Sequence, residues 1–408
     1  MKQTIFKYIL VFALLTGIIF QFGCEDKITP PHDTGRTTTI GDTNYVEILP
    51  PWGGFEDPRA MIIGNDQLIY VTDYSRNEVV MMNTAGVILK RRSIPHPVSI
   101  AQNSKLDLLI GGETVSENGD TIGAIYKINL VRWDTTYISR IDTVIDTLRN
   151  DTLEVPVVRD TAYFYNNNID EAHMRITWQE PARIGRRFTG IGILQANGLN
   201  NEYLVARTGP DNSSFVDPDT RILRFNSGDT LITPLADLIT RPSGGTAVTD
   251  IRNLTSLMVV PATSNFILTQ NIAGVAYGAI YMVFQRTNDF EGWVPGYDPS
   301  VPGGRVDFVH QYQFNDASAA TYDRIRNEIF IVDAGLDSVF KFDRRTGKLK
   351  SESFGKGKTR VKTQQYDFPG LESPRGAAFS NDCTLYIADT GNKIIRRFRL
   401  SSQTTCNR

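Results

Sequence analysis

The chain has 408 residues, 43 Lys plus Arg against 45 Asp plus Glu, and 33 glycines. The near-neutral balance argues against nucleic acid as the main partner, and the length permits a large core in one or two domains. Aromatics at 10%, frequent glycine and the lack of helical periodicity beyond the first turns suit many short strands joined by tight turns.

Residues 1–23 read as a targeting segment. Lys2 and Lys7 precede Tyr8–Phe22, an apolar run that ends at Gly23-Cys24. Those 15 residues fall short of the roughly 20 that span a bilayer. The segment resembles a bacterial lipoprotein signal, with Gln21-Phe22 where Leu and Ala or Ser are usual. That resemblance implies an acylated Cys24, membrane contact through the acyl anchor only, and a place in the bacterial cell envelope. A plain secretory peptide and an uncleaved anchor are the alternatives. Glu25 and Asp26 are similar to surface-export signals of some Bacteroidetes-type lipoproteins. Residues 24–44, polar and rich in Pro, Gly and Thr, form a flexible tether.

From Tyr45 to 402 one pattern recurs. A strand ends at Asp73 ("LIYVTD"), Gly112 ("DLLIGG"), Arg207 ("EYLVAR"), Gln270 ("NFILTQ"), Asp333 ("EIFIVD") and Asp389 ("TLYIAD"). Each is followed by a loop and a second apolar strand, such as Val79–Met82 or Ile394–Phe398. Pro58 and Pro374 both stand fifteen residues before the terminal Asp. A single meander cannot bury both faces, so the units must pack on one another. The pattern resembles the NHL-repeat family, strongly in the first, fifth and sixth units. It implies an all-β, six-bladed β-propeller of four-stranded sheets around a channel. Tyr45–Pro50 ("YVEILP") has no partner of its own, and the sixth blade runs out at Leu400. An N-/C-terminal strand clasp is therefore predicted, with Tyr45–Pro50 outermost in blade six.

Two segments interrupt the repeat. Val131–Glu180 is Thr/Asp-rich and alternating, which predicts a solvated β-hairpin insertion in the outer part of blade two. Asn288–Gly304 is a Gly/Pro loop carrying Trp293 and Tyr297. Those two rings either stack on a sugar or peptide or pin their own loop.

Propeller topology gathers Arg59, Asp73, Arg207, Asp333, Arg375 and Asp389 on one rim. Alternating guanidiniums and carboxylates at a channel mouth can hold a polar ligand. A strand-terminal Asp more often caps its own turn, and a neighbouring Arg pairs with it. The loop Gly209–Thr220 carries Asp211, Asp217 and Asp219, a calcium pattern without EF-hand spacing. The histidines, His32, His96, His173 and His310 (placed in an outer strand), have no zinc spacing. No cofactor is expected, a calcium or other divalent ion being the alternative. Glu56 alone mimics one ligand of propeller metalloenzymes.

The resulting expectation is a lipid-anchored, extracytoplasmic module binding a protein, peptide or glycan, without nucleic acid. A metal-assisted channel-site hydrolase or lyase is the alternative, and a structural envelope role for the hairpin arm is a third. Cys383 and Cys406 either form a disulfide or remain a buried thiol and a tail thiol.

Overall fold

The structure, a computed structural model, describes residues 45–134, 137–146, 151–159, 162–165, 168–210, 214, 216–236, 238–240, 246–297, 306–351, 353–355 and 370–401. The leader, the tether, Asp211 and Cys406 lie outside these residues.

Six four-stranded antiparallel sheets are arranged as the blades of a propeller. Blade one holds Pro58–Ile63, Ile69–Asp73, Glu78–Met82 and Ile88–Ser93. Blade two holds Ser99–Gln102, Leu108–Val115, Thr121–Asn129 and His173–Gln179, and blade three Arg187–Ile193, Tyr203–Thr208, Arg221–Phe225 and Leu231–Pro234. Blade four comprises Leu254–Val259, Phe266–Gln270, Ala279–Arg286 and Glu291–Pro295, and blade five Ala317–Asp323, Glu328–Asp333, Ser338–Asp343 and Phe354–Gly355. Blade six is Gly376–Phe379, Leu385–Asp389, Ile394–Leu400 and, from the other end of the chain, Tyr45–Glu47. The first strand of each blade meets the first strands of both neighbours, so the ring closes.

All six strands picked out by the repeat are second strands of their blades. They are buried along both faces because each sheet is covered by its two neighbours. This explains why they read as continuous apolar runs rather than as alternating ones. The core accordingly divides into clusters between adjacent blades, such as Leu204, Ile222, Leu268 and Trp293 between blades three and four. At about 25 cal/mol per Å² of apolar surface buried, these seams are the main stabilising term.

The clasp is antiparallel, with Tyr45 opposite Leu400 and Glu47 opposite Phe398. Trp52 continues it by exchanging backbone hydrogen bonds with Ile395 at 2.9 and 2.8 Å. One face of the ring, here the upper, carries the loops into first strands and those between second and third strands. The lower face carries the turns between first and second and between third and fourth strands, together with both ends of the propeller chain.

Both insertions need correction. Within 131–180, Val131–Asp134 pairs with Ala162–Tyr165 and Tyr137–Asp146 with Asp151–Arg159, forming the arm. His173–Gln179 instead pairs with Thr121–Asn129 as the outer strand of blade two. Outer strands are half solvated, so this one carries the same alternation as the arm. Likewise Glu291–Pro295, inside the supposed Gly/Pro loop, is the outer strand of blade four. His310 is in no strand: it follows a 3-10 turn at Asp307–Val309.

Candidate functional site

The upper mouth of the channel is built from one repeated position, the residue next to the start of each first strand. In blades three, four and five the strand bulges there, freeing Thr189, Thr255 and Ser318 from the ladder. These hydroxyls, and that of Ser99 one place further along blade two, bond across to the next blade. Ser99 donates to Phe188 O at 2.8 Å, Thr189 to Leu254 O at 2.7 Å and Ser318 to Pro374 O at 2.7 Å, while Thr255 donates to Ala317 O. Thr390 completes the sixth-to-first seam by donating to Pro58 O at 2.6 Å. The glycine that follows Arg375 serves the same seam: a Cβ on Gly376 would lie 2.0 Å from Arg59 O.

Blades six and one carry arginines at this position, Arg375 and Arg59, at the inner seam between the two blades. Arg375 lines the channel, which holds about 260 Å³ of free space. Its side chain is 37% exposed and makes one long contact, 3.4 Å from Asp316. Its remaining N–H groups have no partner among the described residues. Arg59 is more committed, forked onto Asp57 at 2.9 and 3.2 Å and lying 3.5 Å over the Tyr74 ring. The Tyr74 ring also stacks on His96 at 4.6 Å. At the lower end the channel wall turns to amides and a phenol, with Asn65, Gln102, Gln195 and Tyr322.

The rim aspartates are structural. Asp73 accepts from the Glu56 and Asp57 amides at 2.9 and 2.8 Å, and Asp389 from Glu372 N at 2.8 Å. Asp333 accepts from the amides of Asn315, Asp316, Gly335 and Leu336. All three are fully buried. Burial pushes the Asp333 carboxyl up, against the pull of those backbone donors. Each Asp therefore holds the loop entering its own blade, and the carboxylates expected as ligands face inward.

Arg207 is also withdrawn. With Arg186 it forms a buried lattice with Glu180, Asp217 and Asp219, at 2.5–2.9 Å. The loop carboxylates Asp217 and Asp219 are thus neutralised by guanidiniums and are not set out for calcium. Burial pushes Glu180 and Asp217 up, but Arg186 and Arg207 outweigh it and hold both below the ordinary carboxylate range.

Trp293 and Tyr297 are core residues. Trp293 is 2% exposed and donates its indole N–H to Ser264 O at 2.7 Å; Tyr297 donates to Arg344 O at 2.6 Å. Neither presents a face to a ligand. Among the described residues no three His, Cys, Asp or Glu side chains gather as a metal site, so the donor set does not fit a channel metal there. Nor is any helix among them long and apolar enough to cross a membrane.

One pair escaped the sequence reading. His96 Nδ1 lies 2.6 Å from Glu113 Oε2, and Glu113 is also held by Arg187. His96 adopts a left-handed φ of +41°, with its amide on Asn77 Oδ1 at 2.9 Å. Its side chain is 42% exposed beside Tyr74. Only the repeat register would have placed Glu113, one residue beyond the repeat position Gly112 in Leu108–Val115, near His96. The hydroxyl ring was more legible, since aligning the first strands puts Thr189, Thr255 and Ser318 in one column, with Ser99 one place further on.

No family model matches this chain, and a search of curated proteins finds no match. Solved structures are similar in fold. A glucose dehydrogenase is 10% identical, covering 88% of this chain and 100% of its own, with a TM-score of 0.52. Auxiliary nutrient binding proteins from Bacteroides thetaiotaomicron and Bacteroides ovatus are 8% and 10% identical, both at a TM-score of 0.51. Each match covers 88% of this chain, and 77% and 78% respectively of theirs. At such identities the likeness shows the fold alone. Six-bladed propellers of this shape include both binding proteins and enzymes.

Proposed function

We propose that the protein is a lipid-anchored, extracytoplasmic binding module that takes an acidic group of a peptide or glycan at the upper channel mouth. The observation that carries this reading is Arg375. It is the guanidinium that lines the channel, half exposed, with N–H groups unspent. Three of the six equivalent positions hold hydroxyls already spent on seams between blades, blade two has Val98 there, and the aspartates of the rim are buried caps. What remains for a ligand is therefore cationic, and a guanidinium fork matches a carboxylate, sulfate or phosphate. The nutrient binding proteins of similar fold support a binding role. The NHL resemblance and the acyl anchor at Cys24 belong to the same proposal.

An array of glycans and peptides with matched acidic and neutral members tests it. Acidic members should bind and their neutral counterparts should not. Binding to neutral members alone would overturn the reading. The enzyme alternative draws on the His96–Glu113 pair, in which a carboxylate orients an imidazole whose second nitrogen faces outward from the pair. Turnover of a bound ligand that disappears in His96→Gln would favour it.

A further inference from the structure

The lower face carries exposed features that neither the ring nor the channel uses. In blade five the turn between the first and second strands reads Arg324-Ile325-Arg326, and that between the third and fourth reads Arg344-Arg345-Thr346-Gly347-Lys348. The two turns are joined, with Arg344 N donating to Asn327 O at 3.1 Å. Their acids are consumed internally. Asp323 accepts from the amides of Ile325 and Arg326, and Asp343 from those of Arg345 and Thr346. Arg324, Arg345 and Lys348 are exposed and have no ion pair among the described residues. Between them Ile325 stands 44% exposed.

Two other tips of this face are apolar. Phe290 in the outer turn of blade four is 39% exposed and Val87 in that of blade one 56%. Acids on this face include Asp289 and Glu291 beside Phe290, the Arg399-paired Asp382 and, in the loop before His173–Gln179, the exposed Asp170 and Glu171, so the unpaired cationic surface is that of blade five. An apolar tip flanked by unpaired cations, as Ile325 is, matches the interfacial zone of an anionic bilayer, where headgroups meet the cations and the acyl boundary takes the apolar tip. The chain also enters the ring on this face, at Tyr45, after 44 residues that include the apolar run Tyr8–Phe22.

We propose that the lower face, led by the Arg324/Ile325/Arg345/Lys348 tips of blade five, docks on an anionic lipid surface. The channel mouth then points away from the bilayer. The orientation rests on the anchored reading above; the lipid contact does not. The compact unit Thr43–Arg408 contains every strand of the closed ring, so it is tested without the leader.

It should sediment with vesicles of phosphatidylcholine plus phosphatidylglycerol at least about tenfold more strongly than with phosphatidylcholine alone. Salt should reduce the difference. The triple variant Arg324→Glu, Arg345→Glu, Lys348→Glu should abolish it with an unchanged melting temperature, and Ile325→Ser should weaken it. Equal sedimentation with both vesicles, or a triple variant that binds like the parent, overturns the proposal. Mass analysis of the full chain extracted from membranes tests acylation of Cys24 separately, so loss of the anchor reading is distinguishable from loss of this one.

Discussion

Arg396 joins the two ends of the propeller chain: its Nη1 lies 3.1 Å from both Glu47 carboxylate oxygens and its Nε 2.5 Å from Asp389 Oδ2. All three side chains are buried, and 349 residues separate Arg396 from Glu47. Burial pushes the Glu47 carboxyl above its ordinary value, only partly offset by Arg396. The folded state therefore holds a proton on Glu47 at pH values where the unfolded chain has released it. That contribution to stability falls as pH rises from the ordinary carboxylate range through the raised value. Arg396→Met, which leaves two buried carboxylates without their cation, should cost about 3–5 kcal/mol. Glu47→Gln should cost clearly less and flatten the decline above the ordinary value. Denaturant titrations of both variants between acid and neutral pH check this.

Truncation reads the same clasp. Removing residues through Asn44 should leave the melting temperature unchanged. Removing them through Pro51 deletes Tyr45–Glu47 and exposes the edge of Ile394–Leu400, and should lower it sharply. Equal melting of the two truncations would contradict the clasp.

The Arg186/Arg207 lattice sets an acid limit. Glu180 and Asp217 titrate below the ordinary range, so their stabilisation is complete above it and is lost as pH falls through the depressed values. Arg207→Met leaves Glu180 and Asp217 with Arg186 as their remaining guanidinium, so it should lower stability at neutral pH by less than Arg396→Met does. The variant should also show a shallower acid limb. Added calcium should leave the parent's melting curve in place, because the loop carboxylates are already paired.

How much of this was legible follows from where each residue stands in the repeat. Asp73, Asp333 and Asp389 were visible because second strands, covered on both faces, must be apolar up to a polar residue at the turn. The clasp was visible because "YVEILP" was an apolar strand without a partner. Trp293 and His173–Gln179 were misplaced for one reason: outer strands are half solvated, so the one around Trp293 carries Gly/Pro-flanked sequence that reads as loop and the other the alternation of a solvated hairpin. The inward turn of the rim aspartates and the pairing of Arg207 depend on backbone amides and carboxylates far apart in sequence, which no local pattern carries. Arg375 and Arg59 could be located but not ranked, since their pairing with Asp316 and Asp57 is a matter of side-chain geometry.

Cys383, 1% exposed and in a left-handed turn, is disulfide-bonded. Its partner lies outside the described residues, and Cys406 is the partner expected from the chain's course, since Ile394–Leu400 returns to the face that carries this turn. Closing a loop of this length is worth about 3 kcal/mol in the chain-entropy model. Peptide mapping without reduction should find Cys383 joined to Cys406, and reduction should lower the melting temperature. Two free thiols in the oxidised, unfolded protein would refute the bridge.

The central claim is that Arg375 receives the ligand's acidic group at the channel mouth. The most direct measurement is a calorimetric titration of the tightest acidic ligand from the array into the parent and Arg375→Gln, with melting curves alongside. A charge-assisted hydrogen bond is worth about 1.5–3 kcal/mol, so Arg375→Gln should bind roughly ten- to a hundredfold more weakly while melting as the parent does. Parental affinity in Arg375→Gln would contradict the account.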